Sequence, residues 1–334
     1  MATQDEIKIN KINNTNKLQQ TVFDAQEIEA RWVHMQAAGA TQEQGVLLAI
    51  YERMLRRGGA RTWARPLAMP DMKGLYEALP NFAQPLDEVK RQVALGQDSD
   101  EGLSLMPMLL LGPPGIGKTH FARQLADLLG TQSELVSMNA MTAGWLLSGS
   151  SPQWKGSKPG RVFQALAEGD FANPVMVLDE IDKTSADAQY DPLGPLYNLL
   201  EVDTASRFVD EFVDVRLDAR HIIWIATAND DRHIPAPILN RMNVWEIAPP
   251  SVDQARGIAS RLCGTILAQH QWGRHFDADL SDDVLGQLAL MPPRDMRRSL
   301  MTAFGNARLA RRERVIAADL PLRGATRQRM GFVA

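Results

Sequence analysis

Apolar residues recur at spacings of three and four between positions 25 and 57, at Ile28, Trp32 and Met35 and again at Val46, Leu47, Ile50 and Met54. That period places them on one face of a helix. Gly39 and the Gly58-Gly59 pair punctuate the pattern, so a small helical region is expected over 21–80, ending in a connector that runs from Pro66 to Pro80. From Phe82 the texture changes. Helical stretches at 86–95 and 118–129 alternate with short apolar runs at 106–111, 135–139, 175–179 and 222–228. Strands of a parallel sheet are buried on both faces and read as unbroken Val, Ile and Leu runs. The alternation therefore predicts an α/β fold over 81–249, a doubly wound parallel sheet with its ligand at the carboxyl ends of the strands. Beyond Pro249-Pro250 the apolar runs stop and the spacing is helical only, which predicts a separate helical lid over 250–334. Residues 1–20, rich in Asn, Lys and Gln, read as a disordered tail.

Composition narrows the class. A chain of 334 residues exceeds one small core. Its 45% hydrophobic and 23% charged residues are ordinary for a globular protein. A net charge of −4 argues against a surface that coats nucleic acid, while leaving room for a local basic patch. The single cysteine, Cys263, excludes an internal disulfide and a cysteine zinc cluster, and reads as core packing in a reducing compartment. No run approaches the ~20 apolar residues of a membrane span. The longest, 105–111, contains Pro107 and leads straight into a glycine loop. The amino terminus lacks the apolar stretch of a signal peptide, so a cytoplasmic protein without membrane contact is expected.

The chemistry begins at that loop. Gly112-Pro113-Pro114-Gly115-Ile116-Gly117-Lys118-Thr119 fits Gly-x-x-x-x-Gly-Lys-[Ser/Thr] between a predicted strand and a predicted helix. Its glycines let backbone N–H groups turn inward onto the phosphates of ATP; Lys118 would reach the β- and γ-phosphates and Thr119 would place its hydroxyl on Mg²⁺. His120 is counted with this nucleotide-binding set. A second apolar run, 175–178, ends in Asp179 and Glu180. Carboxylates at the end of a buried strand need compensation. Magnesium suits Asp179, and Glu180 would orient or deprotonate the attacking water. Asp182 lies past the strand and reads as surface or interface. The run 222–228 ends at Asn229, whose neutral amide can hold both water and a phosphate oxygen. Arg241, in Ile234-Pro-Ala-Pro-Ile-Leu-Asn-Arg-Met, reads as a surface arginine from spacing alone, although a guanidinium supplied across a subunit interface can accelerate hydrolysis by ~10³–10⁵.

With these motifs in this order the chain resembles the AAA+ ATPases, and within them the ATPase module of the Lon proteases. The resemblance covers roughly residues 82–305. It is carried by Pro159-Gly160-Arg161-Val162-Phe163-Gln164-Ala165-Leu166, by Asp179-Glu180-Ile181-Asp182-Lys183, by Asp191-Pro192-Leu193-Gly194 through Leu199-Leu200-Glu201-Val202, and by 208–215. It implies that 112–119 is Walker A, 175–180 Walker B, Asn229 sensor 1 and Arg241 a trans-acting arginine finger. It also implies that Trp154-Lys155-Gly156 is a pore loop gripping substrate polypeptide, with Lys155 departing from the usual aliphatic residue; a Trp buried on a loop is the alternative. In Pro292-Pro293-Arg294-Asp295-Met296-Arg297-Arg298, Arg294 matches the lid arginine called sensor 2, with Arg297 second and Arg298 facing solvent or Asp295. The resemblance further implies a homo-oligomer, a hexamer, that remodels or threads a protein substrate or works with an adaptor. A proteolytic domain and a long amino-terminal substrate domain are both expected to be lacking.

Two other readings compete. The carboxyl-terminal arginines, Arg294, Arg297, Arg298, Arg308, Arg311, Arg312, Arg314, Arg323, Arg327 and Arg329, face only Asp295, Glu313 and Asp319, which is compatible with a nucleic-acid-associated accessory ATPase. An inactive nucleotide-gated scaffold is the other, and the intact set of Lys118, Glu180, Asn229 and Arg241 speaks against it.

Overall fold

Where the apolar runs are unbroken, the chain forms the centre of a sheet. The computed structural model describes residues 18–37, 42–66, 68–97, 103, 105–140, 143–154, 156–184 and 191–321. Of the disordered tail expected over 1–20, residues 1–17 lie outside them and 18–20 instead belong to a strand; the pore-loop position Lys155 and Arg323, Arg327 and Arg329 also lie outside. The chain divides into two units, each drawing on separate stretches. The first comprises the described parts of Met1–Pro70, Gln84–Leu111 and Thr119–Glu246, and the second those of Asp71–Ala83, Gly112–Lys118 and Ile247–Ala334.

In the first unit, β1 (Leu18–Thr21) and β2 (Ala60–Trp63) pair antiparallel around two helices, α1 (Ala25–Ala37) and α2 (Gln42–Arg57). Helix α3 (Ala83–Leu95) precedes β3 (Met108–Leu111), and α4 (Lys118–Leu129) follows it. Then come β4 (Ser133–Ser137), β5 (Val175–Asp179), a short antiparallel hairpin of β6 (Phe208–Val209) and β7 (Arg216–Leu217), β8 (Ile223–Ala228) and β9 (Asn243–Glu246). Five of these form one parallel sheet in the order β4-β5-β8-β3-β9. Every residue of β8, and every residue of β5 before Asp179, is buried. Strands β4 and β9 lie at the edges and alternate exposed with partly covered positions. Parallel pairing brings all carboxyl ends to one edge of the sheet, where a doubly wound fold holds its ligand.

Residues 25–37 and 42–57 are helical, with Ile28, Ile50, Tyr51 and Met54 buried. Val46, expected on the apolar face, is exposed. The flanking strands β1 and β2 were not expected, and they tie this region into the first unit. Thr62 N–H donates to Asp170 O and Ala172 N–H to Thr62 O. Asn173 exchanges two hydrogen bonds with the Ala64 backbone, at 2.9 and 2.7 Å. Buried Arg61 donates to the carbonyls of Gly58, Ala60, Leu166 and Ala167, the last two within a π-helical turn. Burial pushes its guanidinium down to about 10, with the Arg57 charge adding to the effect. It therefore stays charged at neutral pH and satisfies carbonyls that the irregular turn leaves open. Arg61→Met is expected to lower unfolding stability by about 2–4 kcal/mol, since it orphans several buried acceptors at once. Urea denaturation checks this, and a loss under about 0.5 kcal/mol, the size of an ordinary surface change, would contradict it.

The second unit is helical among its described residues. Helix α5 (Val252–Gln269) starts with a capping box, Ser251 Oγ accepting from Gln254 N–H and Gln254 Oε1 from Ser251 N–H. Helices α6 (Asp282–Leu288) and α7 (Pro293–Leu309) pack with it around Ile258, Cys263, Val284, Met296 and Leu300. Trp272, Phe276 and Phe304 form a ring cluster, with centroids 5.0–5.7 Å apart. Cys263 is buried, and burial pushes its thiol up to about 11. An inert core residue results. The short helix Lys73–Ala78 joins this unit through an ion pair between Glu77 and Arg261.

Candidate functional site

The glycine loop belongs to the second unit. Gly115 and Gly117 hold positive φ, +82° and +108°, a region open to glycine without strain. At Gly112 a Cβ would lie 2.3 Å from Ile247 O, so only a bare Cα fits. Lys118 is buried, and its Nζ donates to Gly112 O at 2.5 Å and Pro113 O at 3.0 Å. The ammonium thus lies along the inside of its own loop. Pro113, Pro114 and His120 are exposed, and Ile116 is buried beneath the loop. Arg294 meets this loop through its backbone, N–H donating to Gly115 O at 3.3 Å. Arg297 is directed elsewhere, onto Gln269 Oε1 at 3.0 Å, and Arg298 pairs with Asp295 at 3.1 Å.

The carboxyl edge of the sheet, in the first unit, carries a hydrogen-bonded chain. Thr119 Oγ1 and Thr227 Oγ1 each donate to Asp179 Oδ1 at 2.8 Å. Thr227 Oγ1 also accepts Glu180 N–H at 3.0 Å. Glu180 sits in the left-handed region, φ 58° and ψ 51°, which costs an L residue of this kind about 1–2 kcal/mol. Its carboxylate is held by Asn139 Nδ2 at 2.7 Å. The register pairing Ser137 with Asp179 brings Asn139, two residues past β4, beside Glu180. Neither Asn139 nor Thr227 was singled out from the sequence. The readable signal was their place, a polar residue just past or within a buried strand of the same sheet.

Asp182 corrects the sequence reading. The turn at Ile181–Lys183 folds its side chain inward, leaving it 2% exposed, where Oδ2 accepts the Asn229 N–H at 3.1 Å. A carboxylate at a strand end reads as solvated only while its neighbours in space are unknown. Arg241 has Nη1 on Pro237 O at 2.7 Å, and its Nε lies 2.7 Å from Glu201 Oε1 but off the N–H axis. This is a charge contact more than a directed hydrogen bond.

Trp154 is neither buried nor free. It is 43% exposed and sets its ring edge-on to Trp145, with centroids 5.1 Å apart. Gly156 holds φ +83° with open space around it. Together with Arg207, Phe208, Val209 and Glu211, the two tryptophans line an open cavity of about 1050 Å³.

Residues 108–249 match the model of the ATPase family associated with various cellular activities (AAA). The chain carries an AAA domain. The chain is 38% identical over 167 residues to Lon protease 2 of Hydrogenovibrio crunogenus, covering 49% of this chain and 19% of that protein. It is 32% identical over 181 residues to a mitochondrial Lon protease homolog of Aspergillus niger, covering 54% of this chain and 16% of that protein. The match thus spans about a fifth of the length of these relatives. Among solved structures, a closed-state reconstruction of Hsp104 with ATPγS and FITC casein superposes with a TM-score of 0.57 at 17% identity, over 71% of this chain and 47% of that one. The Thermotoga maritima RuvB Holliday junction branch migration motor gives 0.50 at 17% identity, over 76% and 70%. At these identities the two structures speak for the fold alone. The chain is related over about half its length to part of the Lon proteases, and its sheet is the parallel sheet of the P-loop NTPase fold. No helix among the described residues is long and apolar enough to cross a membrane.

Proposed function

We propose that this AAA domain hydrolyses ATP with Mg²⁺ as cofactor, and that the chain works as a cytoplasmic homo-oligomer, a hexamer, which remodels or threads a protein substrate, alone or with an adaptor. The observation that carries the ATPase reading is the chain Thr119–Asp179–Thr227–Glu180–Asn139 at the carboxyl edge of the sheet. Thr119 and Asp179 offer two hard oxygen donors that already touch, the donor type Mg²⁺ prefers, with water and phosphate completing its shell. Bound there, the ion would neutralise phosphate charge. The loop N–H groups and Lys118 would hold the β- and γ-phosphates, Lys118 exchanging its two loop carbonyls for phosphate oxygens. Held by Asn139 and Thr227, Glu180 would orient the attacking water and accept its proton. Asn229 would fix that water and a phosphate oxygen, and Asp182 would fix the Asn229 backbone. Arg294, whose backbone reaches the loop while Arg297 is engaged by Gln269, is the arginine we assign to the γ-phosphate. Arg241 would act on a neighbouring subunit's nucleotide.

The protein-remodelling reading is supported by the Lon relationship and by half-exposed Trp154 over an open groove. The nucleic-acid reading draws less support. Of its ten arginines, Arg298, Arg312 and Arg314 are engaged by Asp295, Asp319 and Asp277, which spends their charge inside the unit. Steady-state ATP turnover of the full chain tests both. Turnover is expected, stimulated severalfold by an unfolded protein and unchanged by duplex DNA. Stimulation by DNA alone would reverse the order of the two readings, and no turnover with either would remove the enzyme.

A further inference from the structure

Asp210 is a fully buried carboxylate that none of the chemistry above uses. It stands at the start of the turn between β6 and β7. Its Oδ1 accepts the N–H groups of Phe212 and Val213, each at 3.0 Å, which closes the turn on the aspartate side chain. Its Oδ2 points away from the hairpin and accepts the Gly160 N–H at 2.8 Å. Burial pushes the carboxyl up to about 6, although these three N–H groups pull it down. A charge kept in such a place, held among the described residues only by backbone donors, is costly and calls for a reason.

The reason lies in what Gly160 belongs to. Gly149 and Gly160 form the neck of the loop that presents Trp154. Ser150 N–H donates to Lys158 O at 3.2 Å, and Lys158 N–H to Ser150 Oγ at 2.9 Å. The two sides touch so closely that a Cβ on Gly160 would lie 2.4 Å from Gly149 N and 2.2 Å from Leu147 O. Gly149, at φ +82°, rests directly on the aspartate, where a Cβ would come 2.5 Å from Asp210 Oδ1. The hairpin reaches the same neck a second time, with Glu211 N–H donating to Ser148 O at 2.7 Å. One carboxylate therefore joins two segments that are far apart in sequence, and it does so with a different oxygen for each.

We propose that Asp210 is a positioning residue that fastens the neck of the Trp154 loop to the β6–β7 hairpin, so that loop and hairpin bear on a polypeptide as one body. The polypeptide half rests on the remodelling reading above; the fastening does not. The division between the two oxygens gives a selective test. In Asp210→Asn the remaining oxygen can still serve Phe212 and Val213, which leaves the amide nitrogen facing the Gly160 N–H, donor against donor. The hairpin turn survives, the carboxylate's tie to Gly160 is lost while the Glu211–Ser148 backbone bond remains, and a buried charge disappears, which keeps the variant folded. Asp210→Ala removes both sets of contacts.

Hydrogen exchange on the full-length chain reads the fastening directly. In Asp210→Asn the amides of 150–154 and 156–160 are expected to exchange about tenfold faster than in the wild type, the effect of losing a hydrogen bond to a charged group. Phe212 and Val213 should keep their protection, and Asp210→Ala should release both regions. ATP turnover without added protein should be unchanged in Asp210→Asn, in both kcat and KM, while its stimulation by carboxymethylated α-lactalbumin is lost. Neck amides as protected as in the wild type would refute the fastening. A loosened neck with stimulation intact would refute the joint action. Should the wild type itself show no stimulation by this unfolded protein, the remodelling reading falls and the polypeptide half goes with it, while the exchange data alone decide the fastening.

Discussion

Replacing Glu180 with glutamine is expected to lower ATP turnover about 10³-fold, within the range for loss of a general base, while leaving nucleotide affinity within about twofold. Glutamine has the same shape, and its amide oxygen can still accept from Asn139 Nδ2, which holds Glu180 at 2.7 Å. The strained backbone at this position, φ 58°, is set by the peptide and by the Thr227 hydroxyl beneath it, not by the charge. The substitution therefore removes a proton acceptor and little else. Steady-state hydrolysis paired with titration of a fluorescent ATP analogue separates the two quantities. Wild-type turnover in the variant would take Glu180 out of the mechanism, whereas lost affinity would move it from the water to the phosphates or the metal.

Arg241→Ala should produce a comparable loss, about 10³-fold in turnover, the lower end of what a guanidinium supplied across an interface contributes. Folding should be little affected. The partner Glu201 is half exposed and the Arg241 side chain is 27% exposed, so breaking this partly exposed ion pair is expected to cost about 1 kcal/mol. The decisive measurement is a mixture. An Arg241→Ala subunit keeps its own Glu180 and lacks only the arginine that a neighbour can supply; a Glu180→Gln subunit supplies that arginine and cannot use it. Mixed before assembly, the two inactive forms are expected to recover a fraction of wild-type activity that depends on their ratio. If no ratio restores hydrolysis, Arg241 does not act in trans, and its contact with Glu201 becomes a structural matter within one subunit.

Much of this protein could be read along the chain, because some physical requirements are local. A glycine loop followed by Lys118 and Thr119 needs backbone freedom at fixed offsets, and a helix behind it, whatever else the chain does. Strands β5 and β8 are buried on both faces and spell that out as unbroken apolar runs. Their ends, Asp179-Glu180 and Ala228-Asn229, mark the carboxyl edge. The resemblance to the Lon ATPase module rested on such local strings, and the AAA match over 108–249 falls on them.

Features defined by a neighbour distant in sequence could not be read this way. The edge strand β9, Asn243–Glu246, alternates in exposure and has no apolar run to announce it. β1 and β2 are short and identifiable only through their pairing, and through Arg61, which reaches carbonyls more than a hundred positions away. The same limit applies to Asn139, 41 positions from the carboxylate it holds, and to Asp182, whose partner lies 47 positions on. Sequence alone determined the parallel-sheet P-loop NTPase fold and the position of the glycine loop, since backbone geometry and two-sided burial write themselves into adjacent residues. Tertiary structure decided which polar groups hold Glu180, where Asp182 and Arg241 point, and that Asp210 joins a loop to a hairpin, because a hydrogen bond across the fold leaves no periodic trace in either segment it connects.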